Sequence, residues 1–325
     1  MQPNAPQLDE HGFPIRPTFA GAADQGGRAG HMGRYAWRTL LILAFLALLG
    51  TAAVREGAVD FIKEELAQLL VQRAVAQAEK DDLPGALANL NRAVAWAPSE
   101  PSPYLWRARY RLELNDVRGS LDDYNQLIKL TDRSASAYLG RSAALTRLNR
   151  HREAIDDLTR AIELSPGHDP MPRNNRAYAR AIAGIELDEG LADVDEALRA
   201  VNATLSSIES APNRLNKILF QAQAKQEKAM YLDTRGTLHL LKRNDEMALR
   251  DLDDAIHLAE ESFQQLGPLA DQNQQPRWRR IQNQALAVMY HHRGQIHQMS
   301  GNGTQAQNDL RRGQELGYDP DRGVY

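Results

Sequence analysis

Apolar positions along the chain fall into two regimes. From Thr39 to Val54 (TLLILAFLALLGTAAV) sixteen residues pass without a charge; counting from Tyr35, with Arg38 near the edge, gives 20 residues. That is about the length at which a helix crosses a bilayer. From residue 67 onward, small and apolar residues recur three, four and seven apart, which places them on one face of a helix. Residues 1–34 follow neither regime: they are rich in Pro, Gly, Ala and Gln and offer too little apolar surface to offset the entropy of ordering. The pattern predicts a disordered tail over 1–34, a transmembrane helix over 35–55, a connecting helix over 56–66, a helical array over 67–320 and a short tail over 321–325.

Charge orients the apolar run. Arg28, Arg34 and Arg38 precede it with no acidic residue after Gln25, whereas Arg55 and Lys63 follow it together with Glu56, Asp60, Glu64 and Glu65. The positive-inside rule then puts the N-terminus in the cytoplasm and residues 55–325 across the membrane, as in a bacterial inner-membrane protein facing the periplasm. Tyr35 and Trp37 fall where an interfacial aromatic belt would sit. Two other readings stay open. Thr51-Ala52-Ala53 resembles a signal-peptide cleavage site, and an all-round apolar helix can also be a buried core element.

The helical regime is periodic at a longer scale. An Arg followed by a small residue recurs six times, at Arg73, Arg107, Arg141, Arg176, Arg235 and Arg293, with gaps of 34, 34, 35, 59 and 58 residues. A second motif follows each by 13 residues (14 in the fourth), reading small, x, x, Asp or Asn, apolar, x, x, small or apolar; its copies begin at Ala86, Ser120, Ala154, Gly190, Ala248 and Ala306. Two short helices per unit, joined by a tight turn, satisfy both motifs, and Pro98 and Pro166 end the second helix of their units. The last two gaps carry about 24 extra residues each, at 205–228 and 263–286. Pro212 breaks the first insertion and Gly267-Pro268 and Pro276 the second, while apolar spacing stays helical on either side. Lengthened flanking helices are expected there, forming two arms that pack on each other or serve self-association.

These units resemble the tetratricopeptide repeat, a 34-residue helix-turn-helix with small residues at positions 8, 20 and 27 and Pro at 32. The third unit matches best, with Tyr138 at 4, Ser142 at 8, Ala154 at 20, Leu158 at 24, Ala161 at 27 and Pro166 at 32. The expected fold is therefore all-α, a solenoid of about six repeats (67–100, 101–134, 135–168, 170–204, 229–262 and 287–320) with two helical insertions and one N-terminal transmembrane helix. The chain departs from the pattern at position 7, where Arg replaces the usual Leu. Each such Arg faces, in sequence, an acid or amide at position 23: Asn89, Asp123, Asp157, Asp193, Asp251 and Asp309. The expectation is a structural pair within each repeat, Arg141 with Asp157 for example.

The resemblance also implies a partner groove lined by positions 2, 5, 9, 12 and 13 of the first helices. Carried over, these are Leu105, Arg109, Leu112 and Glu113; Leu139, Ala143, Thr146 and Arg147; Asp233, Thr237, Leu240 and Leu241; and His291, Gln295, Gln298 and Met299. Their mixed character suits an extended peptide or a helix. The Lys and Asn with which some relatives clamp a terminal carboxylate are missing, since Val71 and Val75 stand there.

Composition closes other routes. The net charge of −3 gives no electrostatic case for nucleic acid. The absence of cysteine removes thiolate catalysis and cysteine-ligated zinc. Among the nine histidines, His291, His292 and His297 cluster, but spacings of five and six do not share a helix face as ligands do. His239 and His297 occupy position 11, a packing position in the family. No phosphate loop, nucleophile elbow or supported carboxylate pair stands out, so neither a cofactor nor an enzymatic activity is expected. The function expected is a membrane-anchored scaffold that binds a protein or peptide. The alternatives are an exported soluble adaptor or an organelle-membrane receptor with cytosolic repeats. Sequons at Asn202-Ala203-Thr204 and Asn302-Gly303-Thr304 bear on topology only in a eukaryotic secretory host.

Overall fold

The computed structural model describes residues 52–165, 169–210, 214–267 and 275–318, and all its regular elements there are helices. In chain order these are α1 (Ala52–Ala78), α2 (Leu83–Trp96), α3 (Pro101–Glu113), α4 (Val117–Leu130), α5 (Ala135–Arg147), α6 (His151–Leu164), α7 (Met171–Ala183), α8 (Leu187–Glu209), α9 (Arg214–Leu241), α10 (Asp245–Leu266), α11 (Gln275–Met299) and α12 (Gly303–Glu315). The expected tails and most of the expected transmembrane segment lie outside the described residues; among those described, no helix is long and apolar enough to cross a membrane. The helices divide into two compact units between Tyr110 and Arg111, within α3.

In the first unit, α1 and α2 pack face to face through Ala67, Val71, Ala74 and Ala78 against Leu83, Ala86, Leu90 and Ala93. Small residues at these positions let the two backbones approach closely. The segment 56–66 is the first half of α1, continuous with the helix that packs on α2.

In the second unit each helix from α5 to α12 packs on the one before it in sequence. Gly140 shows how closely: a Cβ there would sit 2.2 Å from the ring of Tyr124, which is itself 1% exposed. The largest core cluster joins Val194, Leu198 and Val201 of α8, Tyr231 and Leu238 of α9, Ile256 of α10 and Met289 of α11. The insertions take the form of helix extensions, with α8 to α11 running to 22–28 residues against 13 or 14 in α4 to α7. The α9 and α10 extensions cover each other. Leu219 and Ala222 meet Phe263 and Leu266, the Ser262 hydroxyl donates to the Ala222 carbonyl at 2.9 Å, and Lys225 pairs with Glu261 at 2.7 Å.

One turn geometry joins the two helices of every repeat. The residue at position 15 is left-handed each time: Asp81, Asn115, Asn149, Gly184, Arg243 and Gly301, with φ between 59° and 79°. The N–H at position 16 donates to the carbonyl at position 11 in each case, as from Asp116 to Arg111 (2.7 Å) and from Asn244 to His239 (2.9 Å). This satisfies carbonyls that the helix end leaves open. Five of the six residues are Gly, Asn or Asp, which tolerate left-handed φ; Arg243 does not, and carries a local cost of roughly 1 kcal/mol. The extra residue of the fourth unit adds a second left-handed position, Glu186.

The position-7 arginines form a ladder. Arg141 Nε and Nη2 donate to both oxygens of Asp157 at 2.7 and 2.6 Å. Arg176 grips Asp193 (2.7 and 2.7 Å), Arg235 grips Asp251 (2.8 and 2.6 Å) and Arg293 grips Asp309 (2.8 and 2.8 Å) in the same way. The remaining nitrogen, Nη1, reaches back to the preceding repeat: to Asn125 at 2.9 Å, Thr159 at 3.0 Å, Asp195 at 3.0 Å and Asp253 at 2.7 Å. Every one of these acceptors stands two residues after the acid of its own repeat, so each arginine ties one repeat to the last. The first unit repeats the backward step, Arg107 to Asn91 at 3.0 Å, while Asn89 is held there by Gln77. Only a planar fork of five donors can serve two repeats at once.

Candidate interaction surface

The first helices of the last three repeats lie side by side, α7 touching α9 and α9 touching α11. The register of α9 and α11 is fixed by a part-buried contact, His292 Nδ1 to Asp233 Oδ1 at 2.8 Å, which joins position 6 of the sixth repeat to position 5 of the fifth. Near the C-terminal ends of these helices, position 13 carries Ile182, Leu241 and Met299, which are 44%, 43% and 52% exposed. Met247, at the start of α10, adds a fourth exposed apolar residue beside the turn that follows Leu241. Neighbouring helix axes stand about 8–10 Å apart, so position 13 forms a spaced apolar row. Gln295 and Gln298 are exposed on the same helix as Met299.

The groove positions carried over from the family pattern differ in how far they reach solvent. Leu112 and Asp233 are 2% and 1% exposed, and both are corrected from surface to core. Asp233 sits inward because it partners His292, a residue at a position the pattern ignores. Arg147 donates from Nη1 to the Leu112 carbonyl at 2.7 Å, closing the end of α3. Leu139 packs against Ile155, Leu158 and Ala179, and Leu240 against Ala248, Leu252 and Ile296. Thr146 and Thr237 donate to carbonyls of their own helices, Ser142 and Asp233. His291 stacks on Tyr318 with ring centroids 3.9 Å apart. Ala143 and Glu113 are half-buried. In the first unit, Leu105 is half-buried and Arg109 lies over the Trp106 ring at 5.3 Å. Leu241, Gln295, Gln298 and Met299 thus remain exposed; Ile182 joins them, a residue that equivalence of position 13 across the fourth repeat would have named.

Position 11 holds the buried Leu145 in the third repeat and the buried His239 in the fifth, and polar side chains near the position-23 acid in others. Arg111 pairs with Asp123 at 2.8 Å, Arg180 pairs with Asp193, and His239 and His297 stand 3.9 and 4.0 Å from Asp251 and Asp309. Burial lowers the pKa of His239, against partial opposition from Asp251. Hydrogen bonds to Asp251 and Asp309 hold the Arg235 and Arg293 guanidiniums still further above their ordinary value, outweighing burial. Tyr290, half-buried and donating to Glu260 at 2.7 Å, is pushed up to about 12 by partial desolvation and that bond. A cleft of about 350 Å³ opens between α8, α9 and α10, lined by Leu198, Leu232 and Leu258 with Lys228, Asp254 and His257.

The pair of half-buried His292 with buried Asp233 makes stability depend on pH. Burial alone would lower the pKa of His292, but the charge and hydrogen bond of Asp233 outweigh it and the net shift is upward. A group bound more tightly to its proton in the folded chain stabilises fully below its unfolded pKa, about 6.5, and loses that contribution as pH rises through the folded value. His239 and His291, both lowered, act in the opposite sense. The thermal midpoint of the wild type should exceed that of His292→Gln most clearly below about pH 6.5, with the gap narrowing as pH rises. A gap that widens toward alkaline pH contradicts this account.

Repeated helix pairs, with the same turn geometry from pair to pair, define the class: a helical-repeat protein. The family model for the tetratricopeptide repeat matches residues 135–168, so the third unit is such a repeat. No curated protein matches the chain. Among solved structures, the chain is similar to the type IV pilus biogenesis factor PilW (16% identity, TM-score 0.48, covering 79% of this chain and 96% of that one). It is also similar to MamA from Desulfovibrio magneticus RS-1 (14%, 0.47, 60% and 96%) and to a tetratricopeptide repeat protein of Thermus thermophilus (20%, 0.45, 61% and 94%).

Proposed function

We propose that the chain is a non-enzymatic, membrane-anchored scaffold whose first-helix face holds an extended or helical segment of a protein partner. The observation that carries this reading is the row Ile182, Leu241 and Met299, three large apolar side chains kept in water at one equivalent position of three successive repeats. Isolated exposed apolar residues are ordinary, but a periodic row on packed helices offers regularly spaced anchor points. The single family match, to a repeat widely used for protein binding, supports the same reading. The charge-free run at 39–54 and its basic N-terminal flank support an anchor with the repeats on the far side of the membrane.

Photocrosslinkers placed singly at Ile182, Leu241 and Met299 in native membranes should capture one and the same partner, and Leu241→Glu with Met299→Glu should weaken its capture at least tenfold. Capture no different from a probe at exposed Arg250 on the second helix would end the proposal. The absence of cysteine makes topology separable: a single cysteine at Asp254 should escape a membrane-impermeant maleimide in intact cells with a closed outer barrier and react once that barrier is opened.

A further inference from the structure

The first half of α1 shows an apolar face that the described residues leave uncovered. Val59, Ile62, Leu66 and Leu69 follow spacings of three, four and three residues; Val59, Leu66 and Leu69 are 45%, 37% and 47% exposed and Ile62 is half-buried. The packed face of the same helix is a different one, Ala67, Val71, Ala74 and Ala78, each 6% exposed or less, so the stripe points away from α2. Phe61, 43% exposed, lies off the stripe.

We infer that this stripe is a short parallel coiled-coil seam that pairs with the same stripe of a second copy of the chain. Spacing of 3-4-3 is the a/d pattern of a heptad, and the surface complementary to such a seam is another helix with the same spacing. A seam set against its own copy in parallel meets each residue with its equivalent, as a twofold axis requires. The pattern is bounded in sequence by charge, since Arg55 and Arg73 occupy the next d and a positions. A lipid surface is the poorer occupant. Amphipathic helices that lie on membranes flank their apolar face with Lys and Arg, whereas here the positions beside the stripe carry Glu65 on one side and Lys63, paired with Asp60 at 3.1 Å, on the other.

Four residues from each copy make a seam well short of the roughly 1,600 Å² of a standard interface, so the pairing is weak at high dilution. Its strength rests on the anchored reading above: the apolar run 39–54 leads directly into α1, so two anchored copies would present the stripe at one height and in one direction, at high effective concentration.

The test uses the full-length, cysteine-free protein in its native membranes. Val59→Cys, Ile62→Cys, Leu66→Cys and Leu69→Cys, each alone, should give disulfide-linked dimers on mild oxidation, while Asp60→Cys, Glu64→Cys and Gln68→Cys should give several-fold less. Adding Ile62→Asp to the Leu69→Cys protein should abolish its dimer without altering the helical circular dichroism, since the stripe is not part of the folded core. Equal yields at all seven positions, no dimer at any, or adducts at the stripe with a different protein would each overturn the inference. Membrane pelleting of the same samples keeps the two readings apart: dimers in a protein that does not pellet would defeat the anchor and leave the seam standing.

Discussion

Replacing Asp251 by alanine is expected to lower the unfolding free energy by about 3 kcal/mol, toward the lower end of what breaking a buried ion pair costs. The carboxylate is 6% exposed and accepts two bonds from Arg235, at 2.8 and 2.6 Å. Its removal leaves a guanidinium with only the half-exposed Asp195 of the preceding repeat, 3.0 Å away. Water can reach part of the Arg235 side chain, 28% exposed, which keeps the loss below that of a fully enclosed charge. The exposed neighbour Asp254, changed to alanine, should stay within about 0.5 kcal/mol of wild type. Chemical denaturation followed by circular dichroism reads both; equal effects from the two variants would mean that the ladder contributes nothing. Because Arg235 also joins two repeats, the Asp251→Ala transition should broaden as well as shift, as expected where neighbouring units lose coupling.

Leu252→Ala should cost about 2–5 kcal/mol. Leu252 is 0% exposed, packs with Ala248 and Ile296, and its Cγ lies 3.1 Å from where a Cβ on Gly236 would be. The absence of a side chain at Gly236 is what allows α9 to approach α10 so closely, and the leucine fills the space between them. Truncation opens a cavity between two repeats that the rigid helix pair cannot collapse to fill. Leu241→Ala, on an exposed residue of the same repeat, should change stability by less than about 0.5 kcal/mol. A denaturation midpoint for Leu252→Ala within error of that control would contradict the packing described.

The helices themselves were legible in the amino-acid order because their information is local. Six copies of Arg-small and of the second small-residue motif set where each hairpin lies, and the i, i+16 spacing of Arg141 and Asp157 is short enough to be read across one tight turn. The turn was legible in part: Asn115, Asn149 and Gly301 are natural left-handed residues, but Arg243 in the same role has no local signature. The carry-over of groove positions misplaced Leu112 and Asp233, which are buried. Asp233 was placed on the surface because position 5 faces outward in the family pattern; it is buried because His292, 59 residues away, takes its carboxylate. Arg147 was placed there too, and instead closes α3 through a carbonyl 35 residues back.

Periodicity by itself predicted the helical hairpins and the arginine–acid pairs made by Arg141, Arg176, Arg235 and Arg293, whereas Asn89 in the first repeat bonds Gln77 and Asp123 in the second pairs with Arg111. Only the tertiary structure decided which polar residues turn inward, that each arginine also ties back to the preceding repeat, and which apolar residues stay in water at position 13. Those outcomes depend on contacts between neighbouring repeats, made by groups 16 to 59 residues apart that meet in space rather than along the chain.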